Sequence, residues 1–368
     1  MVRRIMTGLL AVLLVVFGSG VAFAENAEEI DYHAPYNEEY TQSINSAFTF
    51  AFVGDTQIVT YKAPEKLDTI YQWILDNKEQ KNIRFVAGLG DITDKSEPFE
   101  WEAAIQAIRK MDGILPYSLI RGNHDTSVSF SKYVNYESYT AQAEGMFDGV
   151  LNTYQTVSVG TLKYLFLNLD HGPSDDALAW ACQVVENHPK HNVIITTHGY
   201  INREGELLSP YVSVESAPSK TSGRNNGPDI WDQLVKKYEN IIMVVCGHIG
   251  TAPEIVNYEA VGDHGNKIQH VLVDPQRLDR YDALSGMVAL FHFSEDGTQV
   301  QVENYATLQQ DHYGPGVQFQ VNSMGGNANE TPVPWLVVIG CTAGALVIVA
   351  GILLLLRKKR QCVSENTI

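Results

Sequence analysis

Between residues 48 and 245, short apolar runs alternate with stretches whose apolar positions recur every three to four residues. The short runs predict strands at 48–53, 83–88, 115–120, 163–169, 192–197 and 240–245. The longer period predicts helices at 64–77, 98–111, 175–187 and 228–238. Pro98 follows Asp94-Lys95-Ser96 and Pro228 follows Asn226-Gly227, so both prolines fall where a helix has no need of the missing N–H. Strand and helix in alternation imply an α/β fold. Beyond residue 250 the helical period stops. Runs at 268–273, 287–293 and 299–304 predict antiparallel strands, with Glu295-Asp296-Gly297 as a hairpin turn. One mixed sheet or two stacked sheets accommodate both halves.

The chemistry lies just past the strands. Asp55 and Gln57 follow the first, Asp91 and Asp94 the second, and Asn123, His124 and Asp125 the third. His198 follows the run at 192–197, and His248 the run at 240–245. In open α/β sheets, ligands gather at the carboxyl ends of strands. Five strands end in metal-capable side chains, four of them with a glycine close by that admits a ligand next to the backbone. Carboxylate, amide oxygen and imidazole in one set suit one or two divalent ions such as Mn, Fe or Zn. Two ions a few ångström apart, roughly 3.5–4 Å, can clamp the attacking and leaving oxygens of displacement at phosphorus.

The chain ends and the charge set the compartment. Arg3 and Arg4, an apolar run from Leu9 to Phe17, and Ala22-Phe23-Ala24 have the layout of a signal peptide over residues 1–24. A polar leader is expected over 25–46 and the folded domain over 47–312. Gly314-Pro315-Gly316, Gly325-Gly326 and Pro332-Val333-Pro334 mark a stalk over 313–334. Trp335 to Leu356 carries no charge and is long enough to span a bilayer, and Arg357-Lys358-Lys359-Arg360 opens a cytoplasmic tail over 357–368. These features place the domain outside the cytoplasm, held by a single type I span. Setting aside Arg3, Arg4, the four basic residues at 357–360 and Glu365 leaves 20 basic and 42 acidic residues. Such a surface repels nucleic-acid backbones, so no nucleic-acid partner is expected. Only Cys182 and Cys246 share the domain, and both sit in apolar stretches, which argues for two thiols over a disulfide framework.

The series Gly54-Asp55-Thr56-Gln57, Gly90-Asp91-Ile92-Thr93-Asp94, Gly122-Asn123-His124-Asp125, a lone His198 after a strand, and Gly247-His248 resembles the calcineurin-like metallophosphoesterases. The resemblance covers nearly all of residues 48–305. It implies two stacked mixed β-sheets flanked by helices, in four layers αββα. By position, it implies that Asp91 bridges two metals, that Asp55 and Gln57 hold the first, and that Asn123, His198 and His248 hold the second. It casts His124 as the group over the phosphate that protonates the leaving oxygen, with Asp94 orienting that imidazole and Asp125 stabilising its turn. The implied reaction is hydrolysis of a phosphate ester by metal-activated hydroxide, without a covalent enzyme intermediate. Two departures fall on the first metal. The family's usual Asp-x-His is Asp55-Thr56-Gln57 here, and its Gly-His-x-His ends in Gly250. The loss of two imidazoles tilts that site toward Mn, Mg or Ca. The series resembles a bacterial branch of the family, as do Trp180-Ala181, Asn226-Gly227 and Ile230-Trp231.

Other residues have two readings each. Arg224 and Asn225, in a polar loop, are candidates for substrate phosphate or plain loop residues, and Tyr200 is a candidate pocket wall. Asp170-His171 either faces the site or starts a helix. His188, His191, His264, His270, His292 and His312 show no ligand spacing. The chain is therefore expected to be a metal-dependent phosphoesterase acting on mono- or diesters. The alternative is a cell-surface binding protein on a degenerate enzyme scaffold.

Overall fold

The structure is a computed structural model that describes residues 40–211, 218, 222–250, 255–274, 286–308 and 310–325. Two sheets carry the fold. The first has six strands: β1 (Phe48–Val53), β2 (Ile83–Gly88), β3 (Tyr117–Ser118), β11 (Met287–Phe293), β12 (Gln299–Ala306) and β13 (Asp311–Gln320), ordered β13-β12-β11-β1-β2-β3. The second has seven: β4 (Gly145–Phe147), β5 (Asn152–Val159), β6 (Leu162–Asn168), β7 (Asn192–Thr196), β8 (Ile241–Cys246), β9 (Val256–Val261) and β10 (Lys267–Leu272), ordered β4-β5-β6-β7-β8-β10-β9. Both are mixed. β1, β2 and β3 run parallel, as do β6, β7, β8 and β10, and antiparallel strands flank them.

Side chains alternate across a strand, and every residue of β1 is buried, so this strand serves two cores. Phe48, Phe50 and Phe52 join Phe85, Phe166, Met243 and Phe291 in the layer between the sheets. Ala51 and Val53 face the other way, onto helices α2 (Leu67–Asn77) and α3 (Pro98–Ile108), with Ile70, Ile74, Trp101 and Ile108. A third cluster packs α6 (Asp175–Asn187) and α7 (Gly227–Gln233) against the outer face of the second sheet through Leu178, Val185 and Ile230. The result is four layers, helix, sheet, sheet and helix. Each large apolar side chain withdrawn from water contributes roughly 1.5–3 kcal/mol, and the Phe stack at 48, 50 and 52 concentrates that stabilisation between the sheets.

Several expectations change. The run at 115–120 pairs as a strand only over Tyr117–Ser118 before the chain turns into the loop that carries Asn123. The run at 268–273 lies antiparallel to β9 but parallel to β8, because β9 precedes it in the chain and takes the edge of the sheet while β10 pairs with β8. The helix expected at 228–238 ends at Gln233 and resumes as a 3-10 turn over Val235–Lys237. The stalk does not begin at 313, since Gly314-Pro315-Gly316 lie inside β13. An edge strand tolerates proline, and a register shift opposite Val302 and Asn304 accommodates it. Cys182 and Cys246 are both free thiols. Among the described residues, no helix is long and apolar enough to cross a membrane. The expected signal peptide, apolar span and basic tail lie outside the described residues.

Candidate metal centre

The site forms where the carboxyl ends of the parallel strands in both sheets meet. Backbone hydrogen bonds lash the loops together there: Thr56 N–H donates to Asp91 O at 3.1 Å, and Gly247 N–H to His198 O at 3.0 Å. Two ligand positions take left-handed backbone that side chains disfavour, Asp91 at φ 47° and His248 at φ 77°. Strain of this kind costs about 1–3 kcal/mol and persists where the surroundings enforce it. Two glycines make room for the carboxylates. A Cβ on Gly122 would collide with Asp91 Oδ1, and one on Gly247 with Asp55 Oδ1.

Asp91 is the centre. One of its oxygens accepts from the His124 backbone N–H at 2.9 Å and lies 3.3 Å from His198 Nε2. The other accepts from Gln57 Nε2 at 3.1 Å. Burial works against its charge, but His198 and His124 outweigh that and hold the carboxyl below its ordinary range. His198 is fully buried, and its Nδ1 sits 2.8 Å from Leu89 O. A carbonyl only accepts, so Nδ1 carries the proton and Nε2 faces Asn123 Oδ1 at 2.9 Å and Asp91. This outer contact fixes the tautomer a metal ligand needs. His248 donates its backbone N–H to both oxygens of Asp55, at 3.3 and 3.1 Å, and its ring lies 4.9 Å from that of His198. Ligand atoms of Asp91, His198 and His248 all fall within 4.8 Å of one another.

His124 stands at the mouth with 39% of its side chain exposed. Its Nδ1 is 2.8 Å from the Asp94 carbonyl and 3.4 Å from Asp94 Oδ1, so that nitrogen is the donor and Nε2 is left facing the centre, 4.0 Å from Asp91 Oδ2. The Asp94 loop is itself pinned, because buried Glu100 accepts from the backbone of Asp94, Lys95 and Glu97. Asp125 does not face the centre. Its carboxylate gathers Ile92 N–H, Thr93 N–H, Thr93 Oγ1 and Gly122 N–H, which locks the second and third loops to each other.

The residues present fit divalent ions. The donor set mixes carboxylate, amide and imidazole, the glycines leave space for it, and Gln57 Oε1 is buried with no hydrogen-bond partner. Asp55, Asp91, Gln57, Asn123, His198 and His248 are the side chains that would hold them.

Three further residues belong to the surroundings. Arg121 forms a buried pair with Asp170, Nε to Oδ1 at 2.6 Å, and also holds Gly122 O and Asp125 O, so it clamps the Asn123 loop to the end of β6. His171, one residue on, does face the site, with ring centroids 5.3 Å from His198 and 5.5 Å from His248. Burial, then the two neighbouring imidazoles, push its pKa well below the ordinary value, so it stays neutral. Asp274, past the end of β10, is buried and hydrogen-bonded to Asp55. Burial, then Asp274 and Asp91, push the Asp55 carboxyl well above its ordinary range. A metal-capable residue at the end of yet another strand was the available signal for Asp274.

The substrate candidates fare differently. Arg224 reaches Asp170 Oδ2 at 3.2 Å and His171 O at 2.8 Å, which brings it beside the site, half-exposed and already paired. Asn225 is buried, and its amide is spent on Pro173 O, Asp175 and Gln233. Tyr200 is fully buried with its ring 5.0 Å from that of His270. These two serve the packing of the loop and of the outer helical layer, in place of the pocket roles expected of them. The remaining histidines also have local partners: His188 meets Val184 O, His264 meets Lys237 O, and His292 and His312 both meet Glu303.

The two stacked sheets thus carry, at their strand ends, a set of side chains that could hold divalent ions. Residues 48–251 match the family described as calcineurin-like phosphoesterase, and the chain belongs to that family. It is 26% identical over 277 residues to the uncharacterized protein YvnB of Bacillus subtilis, covering 72% of this chain but only 20% of that protein. It is also 22% identical over 211 residues to a probable glycerophosphodiester phosphodiesterase, GpdQ, of Arcobacter nitrofigilis, covering 54% of this chain and 70% of that one. Among solved structures, a purple acid phosphatase from yellow lupin is similar with a TM-score of 0.45 and 15% identity, over 75% of this chain and 53% of that one.

Proposed function

We propose that this protein hydrolyses small phosphate esters at a divalent-metal centre, on the extracytoplasmic face of a membrane. The observation that carries the reading is the convergence of Asp91, His198 and His248 within 4.8 Å, with His124 held by Asp94 at the rim. Bound divalent ions supply two things, neutralisation of phosphate charge and acidification of a water molecule. The chain's own residues do the rest. Asp91 presents one oxygen to each half of the centre. Leu89 O keeps His198 in the one tautomer that aims Nε2 inward. Asp94 orients His124 through Nδ1, so that Nε2 faces the place where an ester oxygen would leave toward solvent. Cys246 is not placed as a nucleophile, since it is buried and burial pushes its thiol up to about 12.

The acidic surface excludes polyanionic substrates and favours small esters. The name of the Arcobacter relative makes a phosphodiester the first substrate to try. The outward location is motivated by the signal-like start and by the apolar run followed by four basic residues.

The test is hydrolysis of an aryl phosphate and an aryl phosphodiester by the purified full-length chain, before and after chelation and metal return. The reading requires turnover that chelation removes and Mn²⁺ or Zn²⁺ restores. Hydrolysis indifferent to excess chelator contradicts it.

A further inference from the structure

Gln57 and Gly250 deprive one half of the centre of both imidazoles, which raises the question of what replaces them. β10 runs parallel to β8 with Leu272 level with Cys246, and Val273 N–H donates to Cys246 O at 2.8 Å. The next residue, Asp274, is therefore carried level with Gly247 and His248, at the same end of the sheet as the ligands. It is 2% exposed, as deeply withdrawn from water as Asp91. Its carboxyl lies in contact with that of Asp55. Asp55 in turn lies near enough to Asp91 to feel its charge. Two buried carboxyls side by side at the strand ends that carry the other candidate ligands make an oxygen-lined position of the kind a hard cation takes. Beside this group stands the second sign of a ligand, the buried Gln57 Oε1 that no donor serves, on an amide whose nitrogen already meets Asp91.

We propose that Asp274 is a ligand of the first metal ion, completing with Asp55, Gln57 and Asp91 an all-oxygen position next to an imidazole-bearing one. The assignment rests on the metal-dependent reading above. It gives the two halves different tastes. Oxygen donors alone select Mg²⁺, Mn²⁺ or Ca²⁺, whereas Asn123, His198 and His248 with the shared Asp91 select Zn²⁺ or Fe²⁺. Asp274 supplies the negative charge that the absent imidazoles never carried, so the loss of two family ligands leaves a harder site and not a vacant role.

The experiment is titration calorimetry of the full-length protein with Mn²⁺ alone and with Zn²⁺ alone, supported by elemental analysis. The wild type should take up two Mn²⁺ in two steps. Asp274→Asn, nearly the same shape without the charge, should lose about 10–100-fold in affinity in one step and leave the other unchanged. His198→Ala should weaken the opposite step. Asp274→His should move the affected step from Mn²⁺ toward Zn²⁺ by a similar factor, which gives a positive readout if the Asn variant folds poorly. Two unchanged Mn²⁺ steps in Asp274→Asn, or an unaltered metal preference in Asp274→His, overturn the assignment while sparing the phosphoesterase reading. A wild type that binds neither ion overturns both.

Discussion

The two halves of the centre are built from the same backbone device and differ in their donors. Around His198, the candidate ligands are an amide and two imidazoles, with the tautomer of one imidazole set by a carbonyl. Around Asp55, the side chains are carboxyls and an amide, drawn from β1, the start of α1 (Gln57–Lys62), and the end of β10. Asp91 belongs to both. The comparison teaches that a strand-end scaffold fixes where ligands stand, while the residue at each position sets which ion suits it. Loss of imidazole at Gln57 and Gly250 then reads as a change in hardness, with the carboxyl of Asp274 arriving from a neighbouring strand.

The comparison can be broken most severely at the shared residue. Asp91→Asn should remove ions from both halves and lower turnover by roughly 10⁴-fold or more, read by elemental analysis and ester hydrolysis together. Loss of one ion alone would show that Asp91 belongs to a single half. His124→Ala should lower kcat by about 10²–10³-fold with both ions retained, because that ring touches neither donor set as a ligand. An unchanged kcat would remove His124 from the reaction. The smallest effect is expected of Gly250→His. Returning the family's imidazole should tighten Zn²⁺ at the oxygen-rich half by about tenfold and leave the imidazole half untouched. Equal Zn²⁺ affinity before and after would mean that residue 250 points away from the ion.

Much of the site was legible before the structure because its ligands follow strands directly, and both strand and ligand leave a local mark. β1, β2, α6 and β11 fall within the expected bounds to the residue, since all are apolar runs or helical periods with clear stops. The strands that escaped notice are polar or at edges. β5 and β9 are polar and mixed in burial, without an apolar run, and β13 carries a Gly-Pro-Gly that reads as a linker. Asp274 escaped for a different reason. Asp-Pro after a strand reads as a turn, and its meaning depends on contact with Asp55, 219 positions away in the chain, which only the order of β8 and β10 in the sheet reveals. Arg121 and Asp170 are the same case, a buried pair across 49 positions that holds the Asn123 loop without any local motif.

The most direct test of the whole account is a count of ions per chain in the purified protein as chelator is raised, with phosphodiester hydrolysis followed in the same samples. Two ions should leave at separate chelator concentrations, with hydrolysis falling as the first departs. A protein that holds two ions and hydrolyses no phosphate ester, or one that hydrolyses esters with none bound, would contradict it.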